Sequence, residues 1–249
     1  MRISLCQFDI YWNAPEANFA TIEELCSGLN TDLLVLPEMF SSGFAPTPHE
    51  LADPMAIKST RWMQAYSSDK ALVGSVAKKE NDKYYNTALF CHQNKVVSSY
   101  NKRHVYLGTE SEHYSKGSDL GSVNYNDWNI GLNICYDLRF PVWSRAQKAD
   151  LLIYSANWPD TRKEHWFALL KARAIENQCY VVGVNRIGKD NNGWSFEGGS
   201  VVFDYWGNEI INLQQEEGVE TVLLDLEAQN DYRQKLTFLN DRDNFSLDV

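Results

Sequence analysis

The chain has 249 residues and a mass of 28.6 kDa, with 44% apolar and 22% charged residues, the composition of a soluble globular protein. Its 33 acidic against 23 basic residues leave a formal charge of −10 with no basic cluster, which argues against nucleic acid or a membrane surface as a partner. Five widely spaced cysteines with no C-x-x-C pair suggest neither a disulfide framework nor a thiolate zinc site, and Met1 to Gln7 lacks the apolar core of a signal peptide, so a cytoplasmic protein is expected.

In chain order, short runs rich in Val, Ile, Leu and Tyr alternate with longer helical stretches, which predicts an α/β fold. Strands are expected at Arg2 to Phe8, Asp32 to Leu36, Ala71 to Ala77, Thr87 to Cys91 and Val96 to Tyr100. In the second half they are expected at Asn129 to Cys135, Leu151 to Ser155, Tyr180 to Asn185, Ser200 to Asp204, Glu209 to Asn212 and Thr221 to Asp225. Helices are expected from Pro15 to about Leu29, from Pro141 to Lys148 and from about Arg162 to Gln178, where Thr161 and Glu164 have capping-box spacing. No Pro/Gly/Ser linker divides the chain, so residues 1–249 read as a single domain.

The two halves echo each other. Asp32-Leu-Leu-Val-Leu-Pro-Glu-Met-Phe40 resembles Asp150-Leu-Leu-Ile-Tyr-Ser-Ala-Asn-Trp158, and Ala71 to Ala77 resembles Tyr180 to Asn185, each followed by a hairpin. Two such sheets, each with helices on one side, bury their bare faces together in a four-layer α-β-β-α sandwich with an internal pseudo-twofold repeat.

Three segments carry candidate chemistry. Trp128, Ile130, Leu132 and Ile134 fall on one face of a strand and Asn129, Gly131, Asn133 and Cys135 on the other, so Cys135 stands where the strand exits into a turn. There a nucleophile is exposed and the following backbone N–H groups point at a developing oxyanion. A thiol needs a base or a cation to react at neutral pH. The five histidines show no catalytic or metal-binding spacing. Glu38, just after the apolar run Leu33 to Leu36, is a candidate general base at a sheet's C-terminal edge, and Lys102, closing the strand Val96 to Tyr100, is a candidate fixed cation. Each alone also fits an ordinary strand end.

Together, Leu-Pro-Glu38, Tyr100-x-Lys102 and Ile134-Cys135-Tyr136-Asp137-x-Arg139-Phe140-Pro141 resemble the Glu, Lys and Cys motifs of the nitrilase superfamily of carbon–nitrogen hydrolases, in order and spacing. The resemblance runs from Met1 to about Leu226 and is close to the omega-amidase branch across Cys135 to Arg145 and His165 to Asn177. It implies the α-β-β-α fold, a homodimer with residues 236–249 at the interface, and no metal or organic cofactor. It also implies a second glutamate seven residues before Gly117, which is Glu110, with Glu112 competing for the role. The interval of eight from Lys102 to Glu110 is shorter than in many omega-amidases, which trims the loop at the pocket mouth.

The implied reaction is amide hydrolysis through a Cys135 thioester, with Glu38 as acid and base, Lys102 and the Tyr136 N–H on the oxyanion, and Glu110 orienting the amide. Tyr136, Asn157, Trp158, Phe44 and Arg139 are candidates for the substrate pocket; Arg139 and Arg173 are candidates to receive a substrate carboxylate, against the alternative that they are buried ion-pair partners of residues such as Asp137 or Glu176. The resemblance points to 2-oxoglutaramate or 2-oxosuccinamate. Two other readings stand beside it: a nitrile or N-carbamoyl hydrolase with the same triad, and a catalytically silent dimeric interaction module.

Overall fold

The structure, a computed structural model, describes residues 1–108 and 110–248. In the first half run β1 (Arg2–Gln7), α1 (Pro15–Leu25), β2 (Leu33–Val35), α2 (Ile57–Tyr66), β3 (Ala71–Glu80), β4 (Lys83–His92) and β5 (Lys95–Asn101). The second half begins with β6 (Ser122–Tyr125), β7 (Trp128–Ile134), α3 (Pro141–Ala146), β8 (Leu151–Ser155), α4 (Lys163–Asn177) and β9 (Tyr180–Val184). It continues with β10 (Ile187–Lys189), β11 (Ser195–Glu197), β12 (Val201–Phe203), β13 (Glu209–Asn212), β14 (Gly218–Leu223) and α5 (Leu226–Lys235).

Strands such as Leu33-Leu34-Val35 lack polar alternation because both of their faces are covered. Leu33 and Val35 join Leu151, Ile153, Val182 and Val184 in a core between two sheets, while Leu34 turns outward to Phe19, Ile22 and Met63 of α1 and α2. Likewise Leu152 and Tyr154 turn outward to Trp166 and Leu170 of α4. The layers are therefore α-β-β-α, as expected. One sheet runs β14-β1-β2-β3-β4-β5 and the other β13-β12-β9-β8-β7-β6; in each, three central parallel strands are flanked by antiparallel neighbours. The accessible surface, 11047 Å², agrees with the roughly 11,000 Å² that scaling gives for this mass.

Several boundaries differ from those the sequence suggested. β3 and β4 extend to Glu80 and back to Lys83 because Asn81 and Asp82 both adopt positive φ, 47° and 62°, which makes a tight two-residue turn. Asn126-Asp127 makes another, joining β7 to β6, a strand the sequence reading missed along with β10, β11 and α5. β2 is shorter than Asp32 to Leu36, β14 starts and ends before Thr221 to Asp225, α1 stops at Leu25 and α3 at Ala146. The Thr161–Glu164 capping box does not form: Asp160 to Arg162 make a 3₁₀ turn, and α4 starts at Lys163 without a side-chain cap. The C-terminal segment folds back on its own chain, with Leu247 against the inter-sheet core and Arg103 donating to the Asp248 carbonyl at 2.8 Å. Among the described residues, no helix is long and apolar enough to cross a membrane.

Candidate active site

At one end of the sandwich, residues that follow β2, β5 and β7 meet across the inter-sheet boundary. Glu38 lies three residues beyond β2, and Lys102 follows β5 directly, its N–H donating to Asn86 on β4 at 2.8 Å. The chain after Glu110 returns past Lys102, where Gly117 donates to the Lys102 carbonyl at 2.9 Å. A Cβ at Gly117 would overlap the Asn101 carbonyl, so this close approach requires glycine.

Cys135 sits one residue past β7 rather than in it, opening a 3₁₀ turn that ends at Arg139. Its φ of 44° is left-handed, which costs a non-glycine residue about 1 kcal/mol or more and persists only where the surroundings hold it. Asp137 does much of the holding. Its buried carboxylate accepts from the Ile134 N–H at 2.9 Å, the Tyr100 hydroxyl at 2.9 Å and the His104 N–H at 3.0 Å. The Cys135 turn and the arm that carries Lys102 are thus tied to one carboxylate.

Around the thiol, Lys102 Nζ donates to Glu38 Oε1 at 3.0 Å and to Glu110 at 3.0 and 2.8 Å, all three side chains being fully buried. Asn86 on β4, which the sequence reading missed, donates to both carboxylates, at 2.7 Å to Glu38 and 3.0 Å to Glu110. The other Glu38 oxygen accepts from the Asn157 N–H at 2.8 Å, and Cys135 Sγ lies 3.7 Å from the Asn157 carbonyl oxygen. Asn157 Nδ2 also donates to the Glu38 carbonyl at 2.9 Å, and Ser155 to that of Leu36 at 2.8 Å, so the second half holds Glu38 from across the sandwich. Glu110 takes the place beside Lys102, and Glu112 is exposed.

These environments set the charges. Burial, and after it the negative charge of Glu38, pushes the Cys135 thiol well above the usual thiol range, with Lys102 pulling the other way. The thiol is therefore protonated at rest and must give its proton to a base as it attacks. Burial alone would push Lys102 down, but Glu110 and Glu38 override it and hold the ammonium well above the ordinary lysine range. Burial raises Glu110, against the pull of Lys102.

Glu38, Lys102, Glu110 and Cys135 line one cavity of about 100 Å³, together with all five expected pocket residues: Phe44, Tyr136, Arg139, Asn157 and Trp158. Arg173 is not there; it is buried on the inner face of α4, donating to the Leu138 carbonyl at 2.7 Å and to Glu176 at 3.1 Å, so it is a structural ion-pair partner and not a substrate contact. The structure adds Tyr106, Arg162 and Trp194 at the mouth, none of which the sequence reading named. Tyr106 comes from the loop between Lys102 and Glu110, and its N–H donates to Glu110 at 2.7 Å. Among the described residues, no group of three His, Cys, Asp or Glu side chains is placed to hold a metal ion.

A thiol, two carboxylates and an ammonium around a small cavity can carry acyl transfer. The profile of the carbon–nitrogen hydrolase family matches residues 2–234. The chain is 39% identical to omega-amidase YafV of Yersinia enterocolitica, over 99% of this chain and 98% of that one. It is 33% identical to 2-oxoglutaramate amidase of Bacillus subtilis, over 96% of each. Its fold is similar to that of XC1258 from Xanthomonas campestris, a CN-hydrolase superfamily protein crystallised with an arsenic adduct in its active site, with a TM-score of 0.89, 32% identity and coverage of 100% and 99% of the two chains. The chain belongs to the carbon–nitrogen hydrolase family, as an amidohydrolase of C–N bonds.

Proposed function

We propose that Cys135, Glu38, Lys102 and Glu110 hydrolyse the terminal amide of a small 2-oxo acid, 2-oxoglutaramate or 2-oxosuccinamate, to the carboxylate and ammonia. The observation that carries this reading is the buried Glu38–Lys102–Glu110 cluster sharing one cavity with Cys135. The thiol attacks the amide carbonyl as its proton passes to Glu38. Lys102 and the Tyr136 N–H stabilise the oxyanion. Glu38 then protonates departing ammonia, and the thioester is hydrolysed by water that Glu38 deprotonates. Glu110, bonded to Lys102 and to the Tyr106 N–H, keeps the ammonium aimed and helps orient the amide. Phe44, Tyr136, Asn157, Trp158 and Arg139 form the substrate wall. The same reading includes a cytoplasmic enzyme and a homodimer with residues 236–249 at its interface.

Glu110→Gln lowers kcat by about 100-fold or more, the scale for one misplaced charge-stabilising donor, while Glu112→Gln stays within about twofold of wild type. The opposite ranking, in steady-state ammonia release, would remove Glu110 from the site. The substrate class is tested by kcat/KM on 2-oxoglutaramate, glutamine, a neutral amide of similar length and the matched nitrile. The proposal requires 2-oxoglutaramate to lead by at least about tenfold. Equal or better hydrolysis of the nitrile or of the neutral amide rejects the substrate while leaving the Cys–Glu–Lys chemistry in place.

A further inference from the structure

The cavity mouth holds a guanidinium arranged as an anion receptor. Arg162 lies within cation–π reach of two aromatic rings, its guanidinium carbon 5.7 Å from the centre of Tyr106 and 5.5 Å from that of Trp194. Contact with an aromatic ring face does not use up the N–H donors of a guanidinium. No acidic side chain takes them: among the described residues Arg162 forms no ion pair. The nearest cavity carboxylate outside the reacting cluster, Asp190, is committed to its own hairpin, accepting from the Asn192 and Trp194 N–H groups at 2.9 Å each and from Asn192 Nδ2 at 3.1 Å. The backbone is fixed as well, since the Trp158 indole donates to the Arg162 carbonyl at 2.8 Å. Arg139, the other cavity arginine, is more engaged: it stacks on Trp158 at 4.9 Å and contacts His165 Nδ1 at 3.2 Å. In a chain of charge −10, an anionic substrate is drawn in only by such a local cation.

We propose that Arg162, beside Tyr106 and Trp194 in the cavity wall, is the specificity-determining residue that binds the substrate carboxylate remote from the scissile amide. This deepens the amidase reading and rests on it for the choice of substrate. Two sets of measurements test it. In the first, kcat/KM is measured for wild type, Arg162→Gln, Arg162→Lys and Arg139→Gln on 2-oxoglutaramate and on pentanamide, a neutral amide of the same length. Arg162→Gln loses roughly 10- to 100-fold on the anionic amide, the scale of a charge-assisted bidentate contact, mostly through KM, and stays within about threefold on pentanamide. Arg162→Lys recovers only part of the loss, because a point charge lacks the planar fork. An equal loss on both amides, or a selective loss in Arg139→Gln with none in Arg162→Gln, overturns the proposal. In the second, calorimetric titration with 2-oxoglutarate, which needs no turnover, gives binding at least about tenfold weaker in Arg162→Gln than in wild type. Unchanged or undetectable binding in both overturns the Arg162 assignment even if amide hydrolysis stands, whereas binding lost only in the variant upholds it even if wild type releases no ammonia.

Discussion

Cys135→Ala releases no measurable ammonia from any amide that wild type hydrolyses, a loss of roughly 10⁵- to 10⁶-fold, and it remains folded. Without the sulfur no thioester forms, and the oxyanion donors and binding wall that remain account for only a small residual rate. The fold survives because alanine accepts the left-handed turn about as well as cysteine, and the Ile134–Asp137 and Tyr100–Asp137 bonds that hold the turn do not involve the thiol. Ammonia assays and thermal melts read the two effects separately. Intact-protein and peptide mass spectra of substrate-treated wild type place the acyl adduct on Cys135. Full turnover by the alanine variant would sink the thioester mechanism.

Lys102→Ala damages chemistry and fold together, whereas Glu38→Gln damages chiefly chemistry. The alanine removes the ammonium that lies within 3.0 Å of Glu38 and 2.8 Å of Glu110, leaving two carboxylates buried without a counter-ion. Loss of one partner from a buried ion cluster costs about 3–5 kcal/mol, which lowers the melting temperature by roughly 10 °C in a chain of this size. The missing oxyanion donor removes another 10²–10³-fold or so of kcat. The stability deficit depends on pH with a definite sign. Burial already raises Glu110 while Lys102 opposes it, so in the variant the folded carboxyl rises further above its unfolded value. Such a group stabilises the fold below its unfolded pKa and loses that contribution as pH rises through the folded pKa, so the deficit is small in mild acid and grows toward alkaline pH. Melts across that range check it, and a deficit that shrinks as pH rises contradicts the buried-cluster account. Glu38→Gln keeps the shape but has one acceptor oxygen where the carboxylate has two, so it cannot satisfy both the Asn157 N–H and the Lys102 and Asn86 donors; it folds with a smaller stability loss than Lys102→Ala and, because an amide cannot accept the thiol proton, loses about 10³-fold or more in kcat.

The parts of the fold and site legible in the sequence share one physical origin. Buried parallel strands read as largely apolar runs, so β2, β8 and β9 stood out, and the residues after Val35, Asn101 and Ile134 fell at sheet edges, where Glu38, Lys102 and Cys135 now meet. What was missed depends on contacts between distant segments. Asn86 looks like one polar residue in a strand until the fold brings Glu38 and Glu110 to it, 48 and 24 residues away. Arg162 and Trp194 lie in a 3₁₀ turn and a hairpin that carry no chemical motif, and only the closed sandwich stacks them. The capping-box spacing at Thr161 failed because the Asp160–Arg162 turn, pinned by the Trp158 indole, shifts the start of α4 past that residue. The Asn-Asp dipeptides before Lys83 and Trp128 were the unused local signals for the longer β4 and for β6.

The bonds from Asn157 and Ser155 to the Glu38 segment, and from Tyr100 and His104 to Asp137, all run between the two halves of the chain. Neither half on its own is therefore a weaker version of the enzyme. The first half carries Glu38, Lys102 and Glu110 with half of their scaffolding absent, and the second carries Cys135 on a turn that lacks its brace. Turnover has no partial form on the way to the native state: during refolding it cannot begin before the two sheets have closed on each other, so the onset of ammonia release reports that closure.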